Sequence, residues 1–342
     1  MSPDDYTVGW ICALPLEMAA ARLVLDATHP PLHQPRRDQN SYLLGELAGH
    51  NVVVACLPAG IYGTAFAAVV AAQMRLTFPA IRIGLMVGIG GGVPSLITDI
   101  RLGDVVVSQP QGQFSGAVQY DAGKTIASGN FERTGTLNMP PAELLTALAK
   151  VQANRMIEGN TRLQLHISKA VATETQTGPN SFRRPAEGHD HLYDASYTHE
   201  DSASDCTNCD HMRVLDRRPR TSEEPHIHYG TIASGNQVMK NGQVRDQLAS
   251  QLGILCFEME AAGLMNHFPS LVVRGICDYA DSHKNKEWQR YAALAAAAFA
   301  KELLCEVPVQ VGSGGITGTN GSFSDGMSIL TPQIMVLVLV VG

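Results

Sequence analysis

Apolar and polar positions fall into blocks of two kinds along residues 5–150. Nearly continuous apolar runs, TVGWICAL, HNVVVACL, IRIGLMV and GDVVVSQ, predict buried strands. Between them, PLEMAAARLVLD and GTAFAAVVAAQMRL carry apolar side chains at helical spacing and predict helices. The same rhythm resumes after residue 228. HYGTIAS, ILCFEM and LVVRGIC predict strands, while VRDQLASQLG, EAAGLMNHF and WQRYAALAAAAFAKELL predict helices. Strands interleaved with helices imply an α/β fold with a largely parallel sheet. Residues 155–228 break the rhythm, being rich in His, Asp, Arg and Pro with little periodicity. We read them as an irregular, partly disordered insertion in a single domain spanning residues 5–307.

Residues 308–342 are rich in Gly and Ser and end in IMVLVLVV, which is too short to span a bilayer. This tail reads as a flexible end. The 342 residues, 45% hydrophobic, suffice for a sizeable core. Lys plus Arg number 25 against 32 Asp plus Glu, a formal net charge of -7, and no basic stripe suggests a nucleic-acid partner. The seven cysteines, most of them in apolar runs, read as reduced thiols. The acidic start, MSPDDYTVGW, lacks the basic region of a signal peptide. The expectation is a cytoplasmic protein with no membrane partner.

Three short motifs invite chemistry and fail on inspection. GIGGGV (88–93) follows a strand, but Val93 and Pro94 stand where a dinucleotide fingerprint needs its last glycine and a helix. It reads as a tight turn, or as a run that lets backbone amides approach a small ligand. AGKT (122–125) lacks the first P-loop glycine, since position 118 is Val. CTNC (206–209) has zinc-ligand spacing, with His191, His199 and His211 nearby. No second Cys pair or His pair completes four ligands, so we assign no metal and read Cys206 and Cys209 as free thiols. No cofactor motif is found.

The carboxylates are more telling. Glu258 and Glu260 sit in the apolar stretch LCFEMEAAG, where an ionised acid is costly unless paired. On a strand the two share a face, at its C-terminal end. LVVRGIC runs into Asp278, and the first strand leads into ALPLE with Glu17. Ligands of open α/β sheets sit at the carboxyl ends of strands. Glu17, Glu258, Glu260 and Asp278 are therefore expected to converge.

Taken together, ALPLE, VGIGGG, SGN, FEMEAAG and CDYADS resemble the purine nucleoside phosphorylase and uridine phosphorylase superfamily. The pattern is nearest the methylthioadenosine/S-adenosylhomocysteine nucleosidases and the related fungal domains at the front of larger receptor-like proteins. The resemblance implies a three-layer α/β/α domain around a mixed, partly barrel-like sheet. It also implies cleavage of the N-glycosidic bond of nucleosides by a homodimer or larger assembly. Carried over by position, Glu260 accepts hydrogen bonds from the ribose hydroxyls, Met259 packs on the sugar and Asp278 acts at N7 of a purine. Glu17 handles the attacking water. Glu258 either supports Glu260 or touches ligand beside it, and we favour support. Phe257, Asn236 and Val238 join the substrate-binding positions; Asn236 replaces an Asp common in nucleosidases, and Val238 a base-stacking aromatic. QYDAGK (119–124) is either a pocket border or a plain strand edge.

Departures from the phosphorylases point to hydrolysis. Their first turn ends PLR, and here it ends in Pro15, Leu16 and Glu17. A carboxylate there repels phosphate, which needs charged, forked donors. An arginine just before the glycine turn is missing, and Ile89 replaces a serine within it. Backbone amides from Gly88, Ile89 and Gly90 are left to position water. The expectation is a purine nucleosidase acting on adenosine or a relative, with Glu17 as base and a protonated Asp278, made more basic by burial, as acid. Methylthioadenosine or S-adenosylhomocysteine cleavage, phosphorolysis and a silent nucleoside-sensing module are the alternatives.

Overall fold

The first strand, β1 (Val8–Cys12), runs into helix α1 (Pro15–Val24) through a two-residue turn. The computed structural model describes residues 1–309 apart from 96, 128, 130, 176, 187–188, 200–205 and 285. The C-terminal tail, and the expectation of its flexibility, lies outside the described residues. Beyond α1 come β2 (Ala27–Thr28), β3 (Tyr42–Leu47), β4 (His50–Cys56), α2 (Thr64–Thr77), β5 (Ile83–Gly92) and β6 (Val105–Ser108). Short strands β7 (Ala117–Gln119), β8 (Gly123–Thr125) and β9 (Phe131–Arg133) precede helices α3 (Ala142–Glu158) and α4 (Thr161–Thr173). The chain closes with β10 (Ile227–Ser234), α5 (Gly242–Leu252), β11 (Ile254–Glu258), α6 (Ala261–Leu264), β12 (Ser270–Asp278) and α7 (Gln289–Leu304).

The sheet is mixed and closes on itself. β5 pairs with β12 in parallel and with β11 antiparallel, while β12 continues through β6 and β10 back to β11. β1, β4, β3 and β2 extend this ring as an open wing beyond β5. Closure depends on the length of β5. GIGGG, expected as a turn after the strand, is its second half, and Gly91 and Gly92 pair with Phe257 and Cys256 of β11. Without side chains, these residues let neighbouring chain and buried groups come close on both faces.

Helix α7 is apolar all round and buried, lying on β12 and β5 with α1 and α4 against its other side. Its backbone crosses β12 so closely that a Cβ on Gly275 would collide with the carbonyl of Ala292. On the far face, α2 packs on β1, β4 and α6.

The insertion differs from its sequence reading at its start. Residues 161–173 form a regular helix, α4, with Leu163, Ile167 and Ala170 buried along one face. Their spacing of four and three residues is helical, although polar neighbours lower the mean hydropathy. Burying each of Leu163 and Ile167 contributes roughly 1.5–3 kcal/mol. Further on, Arg220 grips buried Asp104, both of its terminal nitrogens lying 2.7 Å from the carboxylate, and His228 Nε2 sits 2.9 Å away. Burial acts to raise the Asp104 carboxyl, but Arg220 and His228 outweigh it and hold it at about 2. No helix among the described residues is long and apolar enough to cross a membrane.

Candidate active site

At the junction of β11, β12 and the glycine-rich half of β5 lies a buried arginine. Arg274 stands mid-strand on β12, directly opposite Gly88 of β5, with 1% of its surface exposed. Its Nη2 donates to Glu258 Oε2 and lies 3.3 Å from Glu260 Oε2. This pairing answers the cost of two acids in an apolar run: they share one fully buried cation. Glu258 is saturated by its own chain as well, accepting the amides of Glu260 at 3.2 Å and Ala261 at 3.1 Å. It thereby caps the start of α6 and holds Glu260 in place, the supporting position favoured above. Glu260 lies just past the strand end, and its Oε1 accepts the amide of Gly63 at 3.3 Å.

Glu17 reaches the same place from α1. Its Oε2 accepts the amides of Ala13 at 2.7 Å and Leu14 at 3.0 Å, and its Oε1 that of Ile89 at 2.8 Å. Anionic side chains suit the first helical turn, whose amides lack intrahelical partners. A Cβ on Gly88 would overlap both the Glu17 carboxylate and the Arg274 guanidinium. The glycine is thus required by the contact it permits. Ile89 contributes only its backbone, the amide to Glu17 and the carbonyl to Arg274 Nη1 at 3.4 Å. Gly90 lies against the Phe257 carbonyl and the Arg274 stem.

Asp278 stands apart from this trio. Its Oδ1 lies against Gly91, three residues beyond Gly88 along β5 and so on the order of 10 Å further on. It accepts the Ala280 amide at 2.9 Å and the Lys284 ammonium at 2.7 Å. The expected convergence of four acids is therefore a cluster of three around Arg274, with the fourth at the other end of a shared strand. β11 runs antiparallel to β5, which brings Glu258 and Glu260 back towards Gly88 instead of the rim at Asp278. Nor is Asp278 in the apolar setting expected of it; Lys284 is its partner.

The remaining sequence-predicted positions are placed as follows. Asn236 Oδ1 accepts the backbone amide and hydroxyl of Thr64 at 3.1 and 3.0 Å, capping α2, and its own amide donates to Asp121 at 2.7 Å. QYDAGK runs from the end of β7 to the start of β8 and touches Asn236 through Asp121, while Tyr120 packs edge-on against Phe257 with ring centroids 5.4 Å apart. Met259 is half-buried between the two glutamates. Val238 is exposed.

Burial raises the Glu260 carboxyl to about 7; Arg274 opposes this, and Glu258 and Glu17 add to it. Glu17 is also raised, chiefly by burial, with Arg274 and its three amide donors acting against the shift. Arg274, although buried, is held more firmly protonated than a free arginine by the glutamates around it. The floor can hold a proton acceptor at Glu17 and an anionic hydroxyl acceptor at Glu260. Two charged side chains that pair with these acids are missing from the sequence reading. Arg274 had a signal, a charged residue inside the apolar strand LVVRGIC, which demands buried anions. Lys284, in a polar loop, had none.

Comparison with known proteins agrees with the fold. The chain is 48% identical over 311 residues to a nucleotide-binding leucine-rich repeat (NLR)-like protein of Hyaloscypha variabilis, covering 91% of this chain. It spans only 30% of that relative's length. It is 26% identical to a 5'-methylthioadenosine/S-adenosylhomocysteine nucleosidase of Mycobacterium bovis, over 89% of this chain and 97% of the relative. Its fold is similar to that nucleosidase from Neisseria meningitidis, solved with methylthio-immucillin-A, at TM-score 0.54, 18% identity and 87% and 98% coverage of the two chains. It is also similar to futalosine hydrolase of Helicobacter pylori, at TM-score 0.53, 16% identity and 88% and 98% coverage. A family model, the Phosphorylase superfamily, matches from residue 7 to residue 307, and with the closed sheet and its buried acids behind that match, the chain belongs to this superfamily.

Proposed function

We propose that residues 5–307 form a purine nucleosidase domain that hydrolyses the N-glycosidic bond of a purine nucleoside, adenosine first, to free base and ribose. One observation carries the choice of water over phosphate. The buried cation of the floor is committed to Glu258 and Glu260, with Glu17 a third carboxylate beside it. Of the five N–H groups of Arg274, three are taken by Glu258, Glu260 and the Ile89 carbonyl, and Nε has no partner among the described residues. That suits a neutral acceptor such as water oxygen and not a dianion, which needs forked cationic donors.

In this reading the Glu17 carboxylate takes a proton from water as its oxygen attacks C1' of the ribose. The bond to the purine breaks with its electron pair on the base. The proton for N7 comes from the Asp278 and Lys284 pair, with Asp278 the group at the base. Glu260 holds the ribose hydroxyls, and its charge stabilises the cationic sugar. Met259 packs on the sugar and Phe257 backs the pocket. The 26% relative supports methylthioadenosine as the second substrate to test. The NLR-like relative supports a second reading, a nucleoside-sensing module of a longer receptor-like protein. A homodimer or larger assembly, in the cytoplasm, belongs to the proposal, and light scattering tests the assembly.

The deciding experiment is chromatography of products from adenosine, inosine, guanosine and methylthioadenosine, with and without phosphate. Free base plus free sugar, independent of phosphate, is expected. Obligatory phosphate would overturn the role of Glu17. Binding without cleavage of any substrate would favour the sensing module.

A further inference from the structure

The insertion brings together ligand atoms that the sequence left apart. The imidazole of His199 and the thiols of Cys206 and Cys209 have their donor atoms within 4.8 Å of one another. All three residues are half-buried. We propose that His199, Cys206 and Cys209 bind one zinc-class divalent cation, and that this ion clamps the insertion onto the loop following Asp278.

Chemistry selects the ion. Two thiolates with an imidazole suit zinc and disfavour magnesium or calcium, which take oxygen ligands. Zinc bonds of about 2.3 Å to sulfur and 2.0–2.1 Å to nitrogen place tetrahedral ligand atoms roughly 3.5 Å apart. The three donors need to close by only about an ångström to reach that spacing. The turn between the cysteines already suits this, since the Cys209 amide donates to the Cys206 carbonyl at 3.1 Å and keeps the segment folded back. Sequence reasoning assigned no metal because no fourth ligand completed CTNC; the fold supplies a third by bringing His199 across from the other side of residues 200–205.

The surroundings tie the cluster to the catalytic side of the domain. The His199 amide donates to Ser282 Oγ at 2.9 Å, and the Cys206 thiol lies 3.9 Å from the His283 carbonyl. The His283 ring stacks on Tyr193 at 4.1 Å and on Tyr197 at 5.0 Å, and meets the His199 ring at 5.5 Å. His283 is more than nine-tenths buried, and its Nε2 has no hydrogen-bond partner among the described residues. An orphaned buried nitrogen beside a Cys/His cluster is a second, independent pointer to a missing partner there; His283 itself lies outside the three-ligand group, and the fourth position of the tetrahedron is left to water. A cavity of about 20 Å³ bounded by Cys206, His283, His191 and Asp278 separates the cluster from the acid itself. The role is therefore structural. Binding displaces the two thiol protons to solvent, and the ion then holds the 281–284 loop from which Lys284 reaches Asp278.

The test uses the full chain, purified under reducing conditions without chelator. Elemental analysis is expected to find roughly one zinc per chain, lost in Cys206→Ser/Cys209→Ser and in His199→Ala but kept in Cys305→Ser, an exposed thiol elsewhere. Cobalt replacing zinc should give a thiolate-to-metal charge-transfer band and the strong visible bands of a tetrahedral ion. Chelation should lower the melting temperature and zinc restore it. Absence of metal from the wild type after incubation with a zinc salt would overturn the proposal, as would metal retained by the double serine variant. Should that variant not fold, the cobalt spectrum of the wild type decides: a weak octahedral spectrum without the charge-transfer band rejects the site.

Discussion

Lys284 Nζ lies 2.7 Å from Asp278 Oδ1, so the acid assigned to the base of the nucleoside is held by an ammonium six residues further along the chain. In the proposed mechanism the pair divides the work, with Asp278 at the base and Lys284 positioning it and supplying a proton. Asp278→Asn is expected to lower kcat by about 10²–10⁴-fold while leaving nucleoside binding largely intact. Lys284→Met should lower kcat less and shift the pH profile of kcat, which a purely structural lysine would not do. Steady-state kinetics from pH 5 to 9, with calorimetric binding of adenosine, checks both.

Gly88 is occupied on its open side by Glu17 and Arg274. A methyl group there has to push both away. Gly88→Ala should therefore cost about 10²-fold in turnover, the scale of a 1 Å misplacement of a reacting group. Gly112, between β6 and β7, where a Cβ meets nothing within 4 Å, provides the comparison, although its positive φ of 58° costs some stability there. Equal loss of activity in both variants would sink the argument from close approach.

Arg274 pairs with two buried carboxylates at once. Arg274→Met leaves them unpaired and should destabilise the domain by about 3–5 kcal/mol. Adding Glu258→Gln should recover part of that loss, because one buried charge is then removed. Urea denaturation of the single and double variants measures the coupling. A single variant within about 0.5 kcal/mol of wild type would mean that water, and not Arg274, compensates the acids.

Protons and stability should move in opposite directions at the two buried acid centres. Glu260 is raised from its ordinary 4.5 to about 7, so between those values the folded chain holds a proton that the unfolded chain has lost. Stability from this group falls as pH rises through that window and levels off above it. Turnover should rise over the same range, since the proposed mechanism needs Glu260 and Glu17 as anions. Asp104, lowered from 3.8 to about 2, contributes stability above about 4 that is lost as pH falls towards 2. Melting temperatures of wild type, Glu260→Gln and Asp104→Asn across pH 3–8 separate the two. A fall between pH 5 and 7 that persists unchanged in Glu260→Gln would assign it to another group.

Much of the architecture is legible from local pattern. The strand ILCFEM and the helix WQRYAALAAAAFAKELL declare themselves because burial on all sides leaves an apolar run of telling length, and burial on one side leaves a period in the residues. Helix α4 was missed although Leu163, Ile167 and Ala170 keep that period, because the polar residues around them obscure it. The glycine run was read as a turn because glycine usually punctuates; here a closed sheet needs a strand without side chains.

For the site, the sequence alone determined that Glu258 and Glu260 required a buried counter-charge, since desolvating two carboxylates in an apolar run is not otherwise tolerated. It also placed Asp278 at a strand end, where α/β folds bind ligands, whereas Glu17, expected at such an end, belongs to the first turn of α1. Only the tertiary structure decided that Arg274 is the counter-charge, that Asp278 belongs with Lys284 and that His199 joins Cys206 and Cys209. Each of these depends on which strands and loops become neighbours, and such pairing is set by the packing of the whole chain, which no local period records.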